Sequence, residues 1–276
     1  TQVTHGQRLW LYVISIIIMV LLVTPTLIVI PMSFSDSQYL EFPPEIWSTR
    51  WYDHYFGSSE WMQATRTSFK AALLTMLVAT PIGVLAAYGL HSSKVRFIRA
   101  AFVLMITPMM VPVVLVAIGA FYAYVQLKIL YTITGLVLAH TVLALPLVVI
   151  VTASALKSYD MSQEEAARSL GAPRWKVNLS VALRAVKGGV VTGVLLAVAR
   201  IIGETAPLLF TALNNQFFST DMAKPMANLP VVIFNFAMSP YENWQQLAWG
   251  GAALIALIVL AINIIARTLF RDQQRR

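Results

Sequence analysis

Glu164-Glu165-Ala166-Ala167-Arg168-Ser169-Leu170-Gly171 is a polar, helix-prone stretch set between strongly apolar segments. Ser162 stands three residues before Glu165, the spacing at which a serine hydroxyl caps a helix start while the glutamate reaches back to the cap's own N–H. Ala166 and Ala167 continue that helix at little conformational cost. Gly171 takes the left-handed geometry that ends it, and Pro173 opens a second helix at its first position. The stretch predicts two short helices meeting at a sharp corner. On the water-facing side of a membrane protein, such a corner is a docking knob.

The rest of the chain supplies the membrane protein. Its 276 residues are 58% hydrophobic and 12% charged, with a mean hydropathy of +0.71, which places it outside the soluble globular class. Cysteine is absent, so disulfides, thiolate metal sites and a cysteine nucleophile are excluded. A formal charge of +8 suits nucleic-acid binding in the abstract, but its distribution argues otherwise. Most basic residues fall on alternate connections: Arg8 at the N-terminal end; Lys94, Arg96 and Arg99; Lys157, Arg168, Arg174, Lys176, Arg184 and Lys187; and Arg267, Arg271, Arg275 and Arg276 at the C-terminal end. Residues 32–65 instead carry Asp36, Glu41, Glu45, Asp53 and Glu60 against Arg50 alone. Positive connections face the cytoplasm, so both termini are expected there, with the membrane crossed several times.

At roughly 20 apolar residues per crossing, spans are expected near 9–31, 67–90, 100–125, 133–155, 188–212 and 246–269. The first is read as a retained anchor, since Pro31-Met32-Ser33-Phe34 offers no small-residue cleavage site. Connection 32–66 is rich in aromatic residues, among them Tyr39, Trp47, Trp51, Tyr55 and Trp61, and is expected to lie along the outer interface. Connection 213–245 contains Pro225, Pro230 and Pro240, which predict irregular or short helical structure. Pro81, Pro108 and Pro112 predict bends within the second and third spans. The whole of 1–276 reads as one transmembrane domain, with core helices over 67–270 and a cytoplasmic loop over 156–187.

Within the fifth span, Gly189 and Gly193 form a small-xxx-small face for close helix packing. Arg200 and Glu204 follow at i, i+4 on the same predicted helix, roughly 18 and 24 Å in from Gly188. Ionisable groups at that depth default to a functional reading: an anion-attracting arginine on a transport route, tuned by the glutamate. A self-neutralising pair that only locks helices together is the structural alternative. His140, beside Thr141, is expected to make a helix–helix hydrogen bond. His5, His54 and His91 are scattered, so no metal-ligand spacing arises, and no nucleophile–base arrangement points to catalysis.

Glu165-Ala166-Ala167, then Gly171, then Val181-Ala182-Leu183 resembles the EAA loop of bacterial ABC-importer permeases, with Arg184 where that motif ends in proline. The resemblance implies an all-α, polytopic, MetI-like type I permease fold of about six transmembrane helices. It also implies that Glu165, Ala166, Ala167 and Gly171 couple the chain to a separate ATPase. No G-x-x-x-x-G-K-[ST] loop occurs, so ATP is expected to be hydrolysed by partner subunits, with no cofactor bound here. The implied partners are a second, different permease, two ATP-binding subunits, an external solute-binding protein and membrane lipid; nucleic acid is not among them.

Gly203-Glu204-Thr205-Ala206-Pro207-Leu208-Leu209-Phe210, with Asn228-Leu229-Pro230 and Trp244-Gln245-Gln246-Leu247-Ala248-Trp249, is similar to the PstA-type permeases of phosphate importers, over about Pro173 to Arg267. That group often carries a basic residue where Arg184 stands. It implies that Arg200 and Glu204 match charged positions on a phosphate pathway. Arg50-Trp51-Tyr52-Asp53-His54-Tyr55-Phe56 and Leu138-Ala139-His140-Thr141 look more like permeases of polyamine importers, which makes a polyamine the alternative substrate. An intramembrane hydrolase would need a catalytic dyad in the pore, and a secondary transporter usually shows internal repeats. Neither accounts for the EAA loop.

Overall fold

A computed structural model describes residues 9–37, 41–93, 95–205, 209 and 227–270. The described secondary structure is helical: α1 (Leu9–Met32), α2 (Arg50–Gly57), α3 (Ser59–Ser92), α4 (Ile98–Met110), α5 (Val113–Leu127), α6 (Ile133–Lys157), α7 (Ser162–Ser169), α8 (Arg174–Ala185, with a π-helical turn over Asn178–Ala182), α9 (Lys187–Ile202), α10 (Leu229–Ala237) and α11 (Glu242–Phe270). Among the described residues, four helices are long and apolar enough to cross a membrane, and up to six crossings result if each bent pair is one span. Two compact units make up the chain: Ser59–Val232 with Ile258–Arg276, and Thr1–Ser58 with Ile233–Leu257.

In the larger unit α6 is the central helix, buried along much of its length from Ile133 to Leu156. The α3 face against it carries small residues, Ala71, Gly83 and Ala87 among them, which let the backbones approach closely. A Cβ added at Gly83 would lie 2.7 Å from Val148 Cγ1 of α6. From α9, a Cβ at Gly193 would lie 3.3 Å from Val148 Cα, and one at Gly189 only 2.4 Å from Ala155 Cβ. Val148 therefore sits between a glycine of α3 and a glycine of α9.

The prolines behave differently from one another. α3 runs unbroken through Pro81, whereas the third expected span is not one helix but α4 and α5 at 100°. Val111 and Pro112 between them are extended, at ψ 136° and 127°. Proline disfavours helical geometry in its predecessor, and here two successive residues leave the helical region. α6 is started by Thr132, whose hydroxyl oxygen accepts the Gly135 N–H at 3.1 Å. His140 is buried, but neither ring nitrogen has a hydrogen-bond partner among the described residues, and Thr141 bonds back to the Val137 carbonyl within the same helix. The expected helix–helix bond is not made there.

The smaller unit folds the aromatic connection into a core. Trp51 Nε1 donates to the Ser35 carbonyl at 2.7 Å, and the Ser33 hydroxyl lies 2.6 Å from the Tyr52 phenol. Gln246 Nε2 donates to the Ser37 carbonyl, and Trp51 packs on Gly250 of α11. Arg50 meets Asp36 at 2.5 Å and covers the Trp51 ring. Trp51 and Tyr55 are thus core residues rather than interfacial anchors; Trp47 and Phe56 remain exposed, and Tyr39 lies outside the described residues. Pro230 stands in the first turn of α10 and Pro240 between α10 and α11. Asn214, Asn215 and Pro225 lie outside the described residues.

Candidate functional site

The corner between α7 and α8 forms where the sequence places it, with a different set of bonds at its start. Asp160, not Ser162, caps α7: its carboxylate accepts the Ser162 N–H at 2.9 Å and the Ser162 hydroxyl at 2.7 Å. Those two bonds, the backbone one first, hold the Asp160 carboxyl below its ordinary range. The capping box expected of Ser162 and Glu165 does not form, because the charged acceptor two residues upstream takes both Ser162 donors. At the other end Gly171 has φ +84°. Its N–H bonds to the Arg168 carbonyl at 2.9 Å and the Ala172 N–H to the Ala167 carbonyl at 3.2 Å, the paired pattern of a Schellman cap. Pro173 falls just before α8 rather than at its first position; its carbonyl accepts from Lys176 and Val177.

Glu165 and Ala166 face solvent, while Glu164 is fully buried. Its Oε2 accepts from the Tyr88 phenol at 2.8 Å and from Arg168 Nη2 at 3.0 Å. The same phenol oxygen lies 3.0 Å from Asn178 Oδ1. Its single proton goes preferentially to the carboxylate, the charged and stronger acceptor. One carboxylate thereby ties α7 to the end of α3. Burial, then the negative charges of Glu164 and Asp160, push the neighbouring Tyr159 phenol up. Sequence reasoning singled out Glu165 and missed Glu164, Tyr88 and Asn178; the i, i+4 spacing of Glu164 and Arg168 was the available signal.

Three large apolar side chains stand exposed on the corner. Leu170 is 90% exposed, Trp175 66% and Leu179 61%, although all three lie on an otherwise polar and basic loop. Large apolar groups held in water on a rigid corner mark a surface that another protein covers.

The second candidate group lies at the far end of α9. Arg200 Nη2 is 3.8 Å from Glu204 Oε2, a loose pair; the arginine side chain is 37% exposed and the glutamate 12%. Because α9 ends at Ile202, Glu204 sits in the turn after the helix and not on its face as expected. Among the described residues, a guanidinium so weakly neutralised presents its donors to an anion. α8 and α9 are joined at Val186 with a 71° bend, so the coupling corner and Arg200 lie on the two arms of one elbow.

Residues 79–276 match the family described as binding-protein-dependent transport system inner membrane component. The phosphate transport system permease protein PstA of Yersinia pestis is 42% identical over 204 residues, covering 73% of this chain and 69% of that protein. The PstA protein of Haemophilus influenzae is 43% identical over 203 residues, covering 72% and 71%. Each match is longer than Pro173–Arg267, so the likeness to phosphate permeases extends into the first 170 residues as well. In fold, the chain is similar to a bacterial ABC transporter involved in the import of the acidic polysaccharide alginate, with TM-score 0.68, 15% identity and 99% of both chains covered. It is also similar to the MetNI methionine ABC transporter, with TM-score 0.58, 15% identity, and 76% and 93% covered. An apolar helical core long enough to cross a membrane and these matches agree: the chain belongs to the family of inner-membrane components of binding-protein-dependent ABC importers.

Proposed function

We propose that this chain is the permease subunit of an ATP-driven importer of inorganic phosphate and forms half of its translocation pathway. The observation that carries the substrate is the identity of about 40% to phosphate transport permeases over nearly three quarters of the chain. The exposed Arg200 fork supports it, since a planar set of donors matches a tetrahedral oxyanion and repels a polyamine cation. The chain is a transport subunit and not itself an enzyme.

The partners are a second, different permease, two ATP-binding subunits that hydrolyse ATP, and an external solute-binding protein. The ATPase docks on the α7–α8 corner, where Glu165 and Ala166 face outward, Ala167 is half-buried behind them and Gly171 fixes the turn. Leu170, Trp175 and Leu179 supply the apolar anchor. Glu164 carries the corner's displacement to α3, and α8 carries it to α9 and Arg200. Both termini and residues 156–187 are cytoplasmic, following the basic residues.

Labelled phosphate uptake into vesicles containing the assembled importer tests this reading. Arg200→Gln abolishes uptake while assembly persists; Arg200→Lys restores only part of it, because a point charge lacks the fork. Labelled spermidine, offered in parallel, stays outside. Uptake of spermidine in place of phosphate by the unaltered importer overturns the proposal.

A further inference from the structure

The ends of α3, α4 and α6 that adjoin the coupling corner enclose a cavity of about 660 Å³ which the coupling mechanism does not use. Three nitrogen-bearing side chains line its end: His91, next to last in α3; Arg99, second in α4; and Lys157, last in α6. Among the described residues neither Arg99 nor Lys157 has a carboxylate within ion-pair distance, and no acidic residue lines the cavity. The first turn of α4 also lacks an acidic residue, so the positive end of that helix adds to the same field. Apart from Ser154, one turn before Lys157, the remaining lining is apolar, with Phe102 and Val103 a turn deeper on α4 and Ile150 about 10 Å deeper on α6.

A cationic mouth at the level of the helix ends, leading to an apolar interior along the helix axes, has the polarity of an amphiphile. A free oxyanion would use the mouth and leave the rest empty; a neutral lipid would leave the cations unmatched. We infer that this cavity binds an anionic phospholipid of the cytoplasmic leaflet. Its phosphodiester lies between Arg99 and Lys157, and an acyl chain lies over Phe102, Val103 and Ile150. Basic pockets between transmembrane helices on the cytoplasmic side recognise such headgroups by charge. The sidedness rests on the topology proposed above; the binding chemistry does not depend on phosphate being the transported solute. α6 is also the helix on which α9 packs, so an occupied cavity braces the support of the Arg200 arm.

The test uses the assembled importer in phosphatidylcholine vesicles carrying a trace of photoactivatable phosphatidylglycerol. Cross-links are expected in peptides containing residues 98–103 and 150–157. They are expected to fall on the order of twenty-fold in the Arg99→Gln, Lys157→Gln double variant, at about five-fold per cation removed. Ile150→Trp fills the apolar half without touching either cation and is expected to reduce labelling too, which keeps the test decisive if the double variant fails to assemble. Labelling spread evenly over the apolar surface and unchanged in both variants overturns the inference. So does loss of labelling to excess inorganic phosphate, which identifies a simple anion pocket, or cross-linking of these peptides to the second permease instead of lipid. Failure of phosphate uptake leaves the cross-link intact, so the two proposals fail separately.

Discussion

One residue along an α-helix is a rotation of about 100°, and that rotation separates buried Glu164 from exposed Glu165. The motif's spacing drew attention to Glu165, and nothing in the local pattern revealed that Tyr88, 76 residues upstream, meets its neighbour. Such a contact is long-range and needs the fold. Tyr88→Phe removes a hydrogen bond to a buried carboxylate and is expected to cost about 1.5–3 kcal/mol. It should slow phosphate uptake relative to ATP hydrolysis, both measured on one preparation, and Glu164→Gln should do the same. Unchanged coupling in both variants would show the carboxylate to be structural padding. Gly171 was legible because only glycine takes φ +84° without strain, whereas the cap was misassigned because Ser162 is already the first residue of α7 and both its N–H and its hydroxyl donate to Asp160. Asp160 has its carboxyl lowered in the folded chain, so its contribution is present above the unfolded value and is lost as pH falls through the folded one. Protection of the Ser162 amide, taken relative to its intrinsic exchange rate at each pH, should therefore be present at pH 5 and fall as pH is taken below 3.8. An Asp160→Asn variant, which caps without titrating, should keep its protection, and its failure to differ would remove Asp160 from the cap.

Between elements, close approach decides what substitutions do. Gly189→Val places a side chain where Ala155 Cβ already stands 2.4 Å from the new Cβ, and overpacking of this kind costs about 1–3 kcal/mol. Gly89→Ala, with nothing within 4 Å of the added Cβ, should leave the melting temperature of the purified complex unchanged or slightly raised. A silent Gly189→Val would mean that α9 does not rest on α6 in the working protein. The small-xxx-small spacing was readable because helical period alone puts Gly189 and Gly193 on one face. Hydrophobicity could not show that the third span is cornered, since composition is the same for a straight helix and a broken one. The outcomes at Pro81 and Pro112 differ for a packing reason. α3 is held against α6 on both sides of Pro81, through Ala71 and Gly83, whereas Val111 and Pro112 lie where every neighbouring α4 residue is partly or fully exposed.

At the scale of the whole molecule, the proposed topology rests on charge asymmetry between alternate connections, because insertion responds to Lys and Arg near the helix ends. The chain contains no cysteine, so single cysteines report sidedness without background. An impermeant reagent added to intact cells should label position 45 and spare position 165, and the reverse result would invert the layout. The folded state of the first connection was not legible, since aromatic residues suit an interface and a core equally well; burial of Trp51 against α11 is decided by chain segments about 200 residues apart. One consequence lies in the elbow at Val186. Displacement delivered along one arm of a rigid bracket bent at 71° emerges mostly as sweep across the other arm and only in small part as thrust along it. On the function proposed above, an ATPase docked at the α7–α8 corner works a crank and not a piston: the guanidinium at the far end of the bracket swings sideways more than it moves along α9.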